Sequence, residues 1–312
     1  MENVPQGRTA DRILNARMIR TLVTVFAGLL GLAFGSFLNV CLSRWPEDES
    51  IVQPRSHCRS CTHTLAWWEN IPLLSWIVLG GRCRECKTWI GLRYPVVELA
   101  VAVLWAWTAW TFEKQFVELT GQTSIQTSIF LLATIVILGQ FVFYWLLVGL
   151  AALDAEHLWL PNVITLPGIA LGIAFSFFTD MAAGRDFSVS PGPFRLLGER
   201  VLAIVVTAGL LLLIRWLYGV FRHREGMGLG DVKLIAMLAA WLGLPATLLA
   251  FFIGAMLGAV AGLVVIAVPA TRDEEGWATT KLPFGTFLCI GGIASSIWGQ
   301  PIIAAYLRAI GF

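Results

Sequence analysis

From Ile129 to Leu153 the chain runs for twenty-five residues without one charged side chain. About 20 apolar residues are enough for a helix to cross a bilayer, and a soluble fold has little use for an uncharged stretch of this length. Predominantly apolar runs recur at Ile19–Leu42, Pro95–Phe112, Pro161–Phe178, Leu197–Phe221, Asp231–Leu244, Ala246–Val268 and Phe284–Tyr306, with few charges among them. In hydrocarbon every backbone N–H and C=O must be paired within the protein, so such runs are expected as helices. Composition agrees: 57% of the 312 residues are hydrophobic and 13% charged, against about 25% charged in an average soluble domain. Mean hydropathy is +0.74. Six cysteines are too few for a disulfide scaffold, and a net charge of +2 gives no grip on nucleic acid. The expectation is an all-α polytopic membrane protein with about eight transmembrane helices and the lipid bilayer as its solvent.

Four regions follow. Residues 1–18 form a basic amino-terminal tail and 19–42 the first transmembrane helix. Residues 43–94 form a small polar domain inserted between helices one and two, and 95–312 a helical membrane domain. The first span is too long for a signal-peptide core and no small-residue cleavage site follows it, so it is expected to be retained. Ala27, Gly31 and Gly35 have the small-xxx-small spacing that lets helices approach closely in lipid. The fourteen residues Asp231–Leu244 are short for a crossing, which leaves them tilted, half-inserted or part of a hairpin. Lys and Arg counts favour the odd-numbered loops as cytoplasmic, provided Arg8, Arg12, Arg17 and Arg20 lie along the surface as a short interfacial helix. No repeat of fixed period is visible.

Within the inserted domain, Cys58-x2-Cys61 and Cys83-x2-Cys86 stand twenty-one residues apart. Each two-residue gap lets a tight turn aim two thiolates at one ion, so the quartet reads as a structural, closed Zn²⁺ site. Two disulfides are the alternative, disfavoured if the loop faces a reducing cytoplasm. His57 and His63 flank the first pair and read as loop residues, His157 and His223 stand alone, and Cys41 and Cys289 read as packing residues.

Charge at membrane depth is costly and marks function. Asp154 ends the uncharged run from Ile129, and Asp231 follows Gly226, Gly228 and Gly230 where the sixth apolar segment begins. Both fall at the same membrane edge. If they approach, like-charge repulsion leaves them sharing one proton. One carboxylate then activates water while the other protonates the scissile group, as in aspartic proteases. Each also has a plainer reading, Asp154 as a boundary residue and Asp231 as a helix N-cap. Glu156 competes for the first role, and Lys233 faces lipid headgroups or tunes the site. Asp180, Asp186, Asp273, Glu274 and Glu275 read as solvated loop residues.

Taken together, the motifs resemble the bifunctional type IV prepilin peptidases, which also process pseudopilins of type II secretion. They run in family order from Gly35-Ser-Phe-Leu-Asn-Val40, with Arg44 and Pro46, to the Cys quartet, which brackets Trp68–Trp76 and takes in Gly81–Arg84. Arg93-Tyr-Pro-Val-Val-Glu98, Asp154–Pro161 with Ile164–Pro167, Gly228-Leu-Gly-Asp231 with Lys233, and Pro283-Phe-Gly285 follow, so the likeness covers about residues 28–300. It implies a bacterial inner-membrane enzyme, multi-pass, with a cytoplasmic catalytic face and prepilin or pseudopilin substrates. Asp154 and Asp231 would take the catalytic places, cutting a basic leader after a glycine. The new amino terminus would then be N-methylated using S-adenosylmethionine. Gly228, Gly230 and Lys233 would touch substrate, and Arg93 and Glu98, charged at the membrane edge, are candidates for the methyl donor. Asn162 stands where the family often has Asp. The basic tail lies outside the pattern. Two other classes fit the membrane character: a proton- or cation-coupled transporter using the acids as carriers, and a non-catalytic assembly factor docking through the zinc module.

Overall fold

The computed structural model describes residues 6–120, 127–183, 193–222, 228–267 and 282–311. Among them are nine α-helices and no extended strand: α1 (Gln6–Arg44), α2 (Leu74–Val78), α3 (Arg93–Thr120), α4 (Thr127–His157), α5 (Asn162–Ala183), α6 (Pro193–Arg222), α7 (Leu229–Leu242), α8 (Leu244–Ala267) and α9 (Phe284–Ala309). Seven of these are long and apolar enough to cross a membrane, which makes the chain a multi-pass membrane protein. Prolines 95, 193 and 245 sit in the first turns of α3, α6 and α8, where a missing N–H costs nothing.

Two expectations are revised. The sixth apolar segment is α7, fourteen residues or about 21 Å at 1.5 Å per residue, too short for a hydrocarbon core of about 30 Å. It ends at Gly243, whose φ of +78° suits glycine, and α8 starts at the next residue. Second, the arginine-rich segment is no separate interfacial helix. From Gln6 it is continuous with the first span in a helix of 39 residues. Arg20 stacks 3.4 Å over the Trp110 ring and donates to the Trp110 carbonyl at 3.1 Å. Asp180 lies within α5 rather than in a loop. Asp186, His223, Gly226, Asp273, Glu274 and Glu275 are outside the described residues.

The chain divides into two compact units, residues 1–145 and 146–312. In the first, α1 lies along α3 at very short range. A Cβ on Gly31 would stand 2.7 Å from the Ala102 Cα, and one on Gly35 2.7 Å from the Glu98 Cα. Backbone cannot swing aside as a side chain can, so the small-residue stripe sets this approach. The opposite face of α1, including Leu22, Phe26 and Leu29, is bare for lipid. Gly31→Ala is therefore expected to lower unfolding stability in detergent by about 1–3 kcal/mol through overpacking. Gly28→Ala, whose new methyl meets Ala106 Cβ at an ordinary 3.6 Å, should be close to neutral in the same thermal melt.

The second unit is built around α7. Nine of its residues, Val232 and Leu234–Trp241, are buried, and α5, α6, α8 and α9 all pack against it. Close approach again uses glycine: a Cβ at Gly168 would strike Met237 and one at Gly172 would strike Trp241. The Trp241 indole donates to the Gly168 carbonyl at 2.9 Å, and Ser176 donates to the Ala240 carbonyl at 3.2 Å. A short helix shielded by protein has no need to match the bilayer's thickness.

Candidate active site and metal centre

The carboxylate site lies wholly in the second unit. Asp154 occupies the last turn of α4, which stops when Leu158 takes a φ of +50°. It is 5% exposed. Its Oδ2 accepts the Thr286 backbone N–H at 2.6 Å and also meets the Thr286 hydroxyl at 3.1 Å. That hydroxyl lies 3.0 Å from the Ala151 carbonyl as well. One hydroxyl proton thus serves two acceptors. Turned to Asp154 it supports a carboxylate; turned to Ala151 it leaves the Thr286 oxygen free to accept a proton from a carboxylic acid. The same contact accommodates both charge states.

Asp231 stands in the first turn of α7, where Gly228 holds the N-cap position. This sets aside the reading of Asp231 as the cap itself. The Gly228 N–H donates to the Asp231 carboxylate, and a helix amino terminus favours negative charge there. Among the described residues, a side chain at Gly228 would meet that carboxylate at 3.7 Å and the Gly230 amide at 3.8 Å. Asp154 and Asp231 share a neighbourhood. The charge on Asp154 acts on Asp231, and both reach Cys289, fully buried one turn beyond Thr286. Leu160 is the spacer. Its side chain lies 3.0 Å from where a Cβ on Gly230 would be and 3.0 Å from the equivalent point on Gly285. Gly285 has no room for a side chain, because its Cβ would stand 2.9 Å from the Asp154 Cγ.

The remaining candidates fall around this centre. Lys233 donates to Asn162 Oδ1 at 2.6 Å, so the position where Asp is frequent in the family serves here as a neutral acceptor for the lysine. Glu156 is exposed, with His157 3.8 Å away, whereas Asp154 is buried. Thr286, the main partner of Asp154, was not singled out by the sequence; its only signal was its place directly after Pro283-Phe-Gly285.

The candidate metal centre lies in the first unit. Two turns of the same design present the cysteines. In each, the first cysteine's N–H bonds the carbonyl five residues on, His63 from Cys58 at 2.9 Å and Thr88 from Cys83 at 2.9 Å. The residue after each second cysteine is left-handed, Thr62 at +58° and Lys87 at +59°. Isolated bridges His57–Thr64 and Arg82–Trp89 close the two turns. All four Sγ atoms lie within 4.8 Å of one another. Cys58–Cys86 and Cys61–Cys83 are each 3.8 Å apart. Two thiolates bound tetrahedrally at about 2.3 Å from one zinc stand about 3.8 Å apart, so the donor set fits that ion. All four are free thiols. The Cys86 Sγ lies 3.2 Å from the Thr88 hydroxyl. His57 bonds the Arg55 carbonyl and His63 faces Glu69, so neither joins the quartet.

Arg93 and Glu98 belong to the first turns of α3. Arg93 donates to Ser43 Oγ at 2.7 Å, and Glu98, buried, accepts the Leu73 N–H at 2.8 Å. Glu69, which sequence reasoning passed over inside the Trp68–Trp76 motif, is also buried. Its Oε2 accepts the Ala66 N–H at 2.7 Å, a bond that holds its carboxyl below the usual range despite burial.

Comparison with known proteins places these features in one family. The bacterial peptidase A24 N-terminal domain model matches residues 29–112, and the type IV leader peptidase family model matches residues 141–263. A protein of Pseudomonas aeruginosa named prepilin leader peptidase/N-methyltransferase is 34% identical over 91% of this chain and 93% of its own length. One of the same name from Myxococcus xanthus is 39% identical over 85% of this chain and 69% of its own, and one from Stutzerimonas stutzeri is 33% identical over 90% and 92%. No solved structure matches. The chain belongs to the type IV leader peptidase family.

Proposed function

We propose that this protein is a membrane aspartyl endopeptidase that removes the leader of type IV prepilins or pseudopilins after a glycine. It then N-methylates the exposed amino terminus from S-adenosylmethionine. The observation that carries the proteolytic half is the meeting of Asp154 and Asp231 from the ends of two helices in one protein-lined neighbourhood. Two interacting carboxylates hold one proton between them. The ionised member takes a proton from water as the water attacks the scissile carbonyl, and the protonated member gives its own to the leaving amine. Gly228 leaves the backbone before Asp231 bare enough for an extended peptide to lie along it, with Gly230 packed on Leu160 and Lys233 alongside. A carrier role for the acids has less support, since both sit at helix ends rather than at a broken midplane helix.

The methyl-transfer half draws on the names of the relatives. We assign it to the 43–94 module, with structural zinc on Cys58, Cys61, Cys83 and Cys86 and with Arg93 and Glu98 at its base, and proteolysis to the 95–312 region. The location that suits this chemistry is the bacterial inner membrane with the catalytic face toward the cytoplasm, where the methyl donor is made. The test is to incubate purified protein with a prepilin leader peptide and methyl-labelled S-adenosylmethionine, reading mass loss and methyl gain together. Mass loss without a cut after glycine refutes the assignment, as does methylation of uncut peptide alone.

Thr286 is expected to position Asp154. Thr286→Val keeps the backbone N–H but removes the hydroxyl, and cleavage should fall about 10- to 100-fold, the worth of a hydrogen bond to a charged group. Its pH–rate profile should shift, and Thr286→Ser should recover both. Slowed cleavage with an unmoved profile would assign Thr286 to packing alone.

A further inference from the structure

The connection from α4 to α5 sets one apolar side chain between the two acids. Leu160 occupies a slot bounded by two glycines. Its Cβ is 3.0 Å from where a Cβ on Gly230 would stand, and its Cδ1 is 3.0 Å from the equivalent point on Gly285. Gly230 directly precedes Asp231, and the point on Gly285 is also 2.9 Å from the Asp154 Cγ. One leucine therefore lies against the backbone that carries one carboxylate and beside the other carboxylate itself. It is half-buried, so part of it remains open to whatever enters the site.

The leucine is held where it stands. Only four residues, 158–161, join the two helices. At one end Leu158 takes a φ of +50°, which residues with side chains seldom adopt, while its N–H donates to the Asp154 carbonyl at 2.9 Å. At the other end Pro161 is buried, and its ring confines the backbone of Leu160 before it to extended conformations. The Pro161 carbonyl accepts the Ile164 N–H at 3.2 Å, the Thr165 N–H at 3.1 Å and the Thr165 hydroxyl at 3.1 Å. Asn162, next in the chain, accepts from Lys233 of α7 at 2.6 Å. Behind the leucine stand glycine backbones, which cannot rotate away as side chains can.

A water between the two carboxylates attacks the scissile carbonyl from about 3–3.5 Å. The Cα of the residue before the cut is one bond of about 1.5 Å beyond that carbonyl carbon. That residue therefore occupies the space Leu160 borders. We propose that Leu160 is the specificity-determining residue that confines cleavage to peptides with glycine before the scissile bond. This rests on the leader-peptidase reading above. A glycine Cα brings only hydrogens against the leucine. Any other residue brings a carbon that needs about 3.5–4.0 Å from the leucine's own, and neither the pinned connection nor the backbones behind it yield that room. The gate acts by excluding bulk, with no attractive contact required, so it turns away alanine and larger residues alike.

The test uses two leader peptides, identical except for glycine or alanine before the cut, given to the full chain in detergent with kcat/KM measured for each. The wild type should prefer glycine about 10- to 100-fold, the worth of one excess methyl in a tight site. Leu160→Ala should shrink that preference to about threefold or less, and Leu160→Val should give an intermediate value. The preference is the readout because a change that only loosened the connection would slow both peptides alike. Leu160→Met, similar in volume, should keep the wild-type preference. An unchanged preference in Leu160→Ala overturns the proposal and assigns the glycine requirement to that residue's backbone freedom. If Leu160→Ala cuts neither peptide, an unchanged preference in Leu160→Val does the same, and loss of all cleavage in both variants overturns it by placing Leu160 in the scaffold alone. A wild type that cuts the alanine peptide as readily as the glycine one overturns it too, with the peptidase assignment intact. If the wild type cuts neither peptide, the peptidase reading itself fails and takes this one with it.

Discussion

Asp154→Asn and Asp231→Asn should each reduce leader cleavage by about a thousandfold or more, within the range for removing a positioned general acid or base. Both variants should still insert and elute as folded protein. The double variant should be hardly slower than either single one, because groups that act as a unit fail together. The reason lies in their placement. Asp154 is buried against the Thr286 N–H and hydroxyl, and Asp231 rests on the Gly228 N–H at a helix start with the Asp154 charge acting on it. Asparagine preserves the shape of each contact but can neither take a proton from water nor give one to the leaving amine. The wild-type cleavage rate should be bell-shaped in pH, since the pair must hold one proton and not two or none. A flat rate from about pH 5 to 9, the span over which a coupled pair loses its shared proton, would exclude the dyad, and so would cleavage surviving in either asparagine variant. Methylation of a peptide supplied already cut should continue in both.

How much of this the sequence disclosed depended on which solvent the residue answers to. Lipid permits few structures, so the apolar runs gave their helices directly, and the Gly31–Gly35 stripe gave its packing role because nothing else allows backbones 2.7 Å from a virtual Cβ. Helix α7 is apolar along most of its length, and its shortness was the one sign that set it apart. That pattern fits a bilayer span and equally a helix wrapped by four neighbours, and only length separates them. The arginine tail misled because its charges concealed a helix that simply continues beyond the membrane. The Cys quartet was legible because metal geometry dictates local spacing. Thr286 was not: its partner lies 132 residues away on another helix, and no periodicity records a contact between α4 and α9. Glu69 was hidden by ordinary chemistry, since an acid beside two tryptophans reads as solvated until its burial is known.

Replacing Cys58 and Cys61 together with serine should empty the metal centre and unfold the 43–94 module, with methylation falling more steeply than cleavage. Between residues 45 and 92 the only buried apolar side chain is Cys83, and the backbone there is joined by turns and two isolated bridges instead of a sheet. A segment of about 50 residues with so little core cannot offset its own conformational entropy without a staple. Four thiolates on zinc supply one, worth about 10–16 kcal/mol in small zinc modules, and serine hydroxyls do not replace them. Metal content by mass spectrometry and limited proteolysis of residues 43–94 measure the two halves of the effect, and a strong chelator should reproduce it in the wild type. Equal metal in variant and wild type would refute the site. Equal loss of both activities would refute the separation of roles, because Asp154, Asp231 and Thr286 lie in the 146–312 unit, which contains no residue of the quartet. The carboxylate pair should meanwhile keep the partners it has within its own unit.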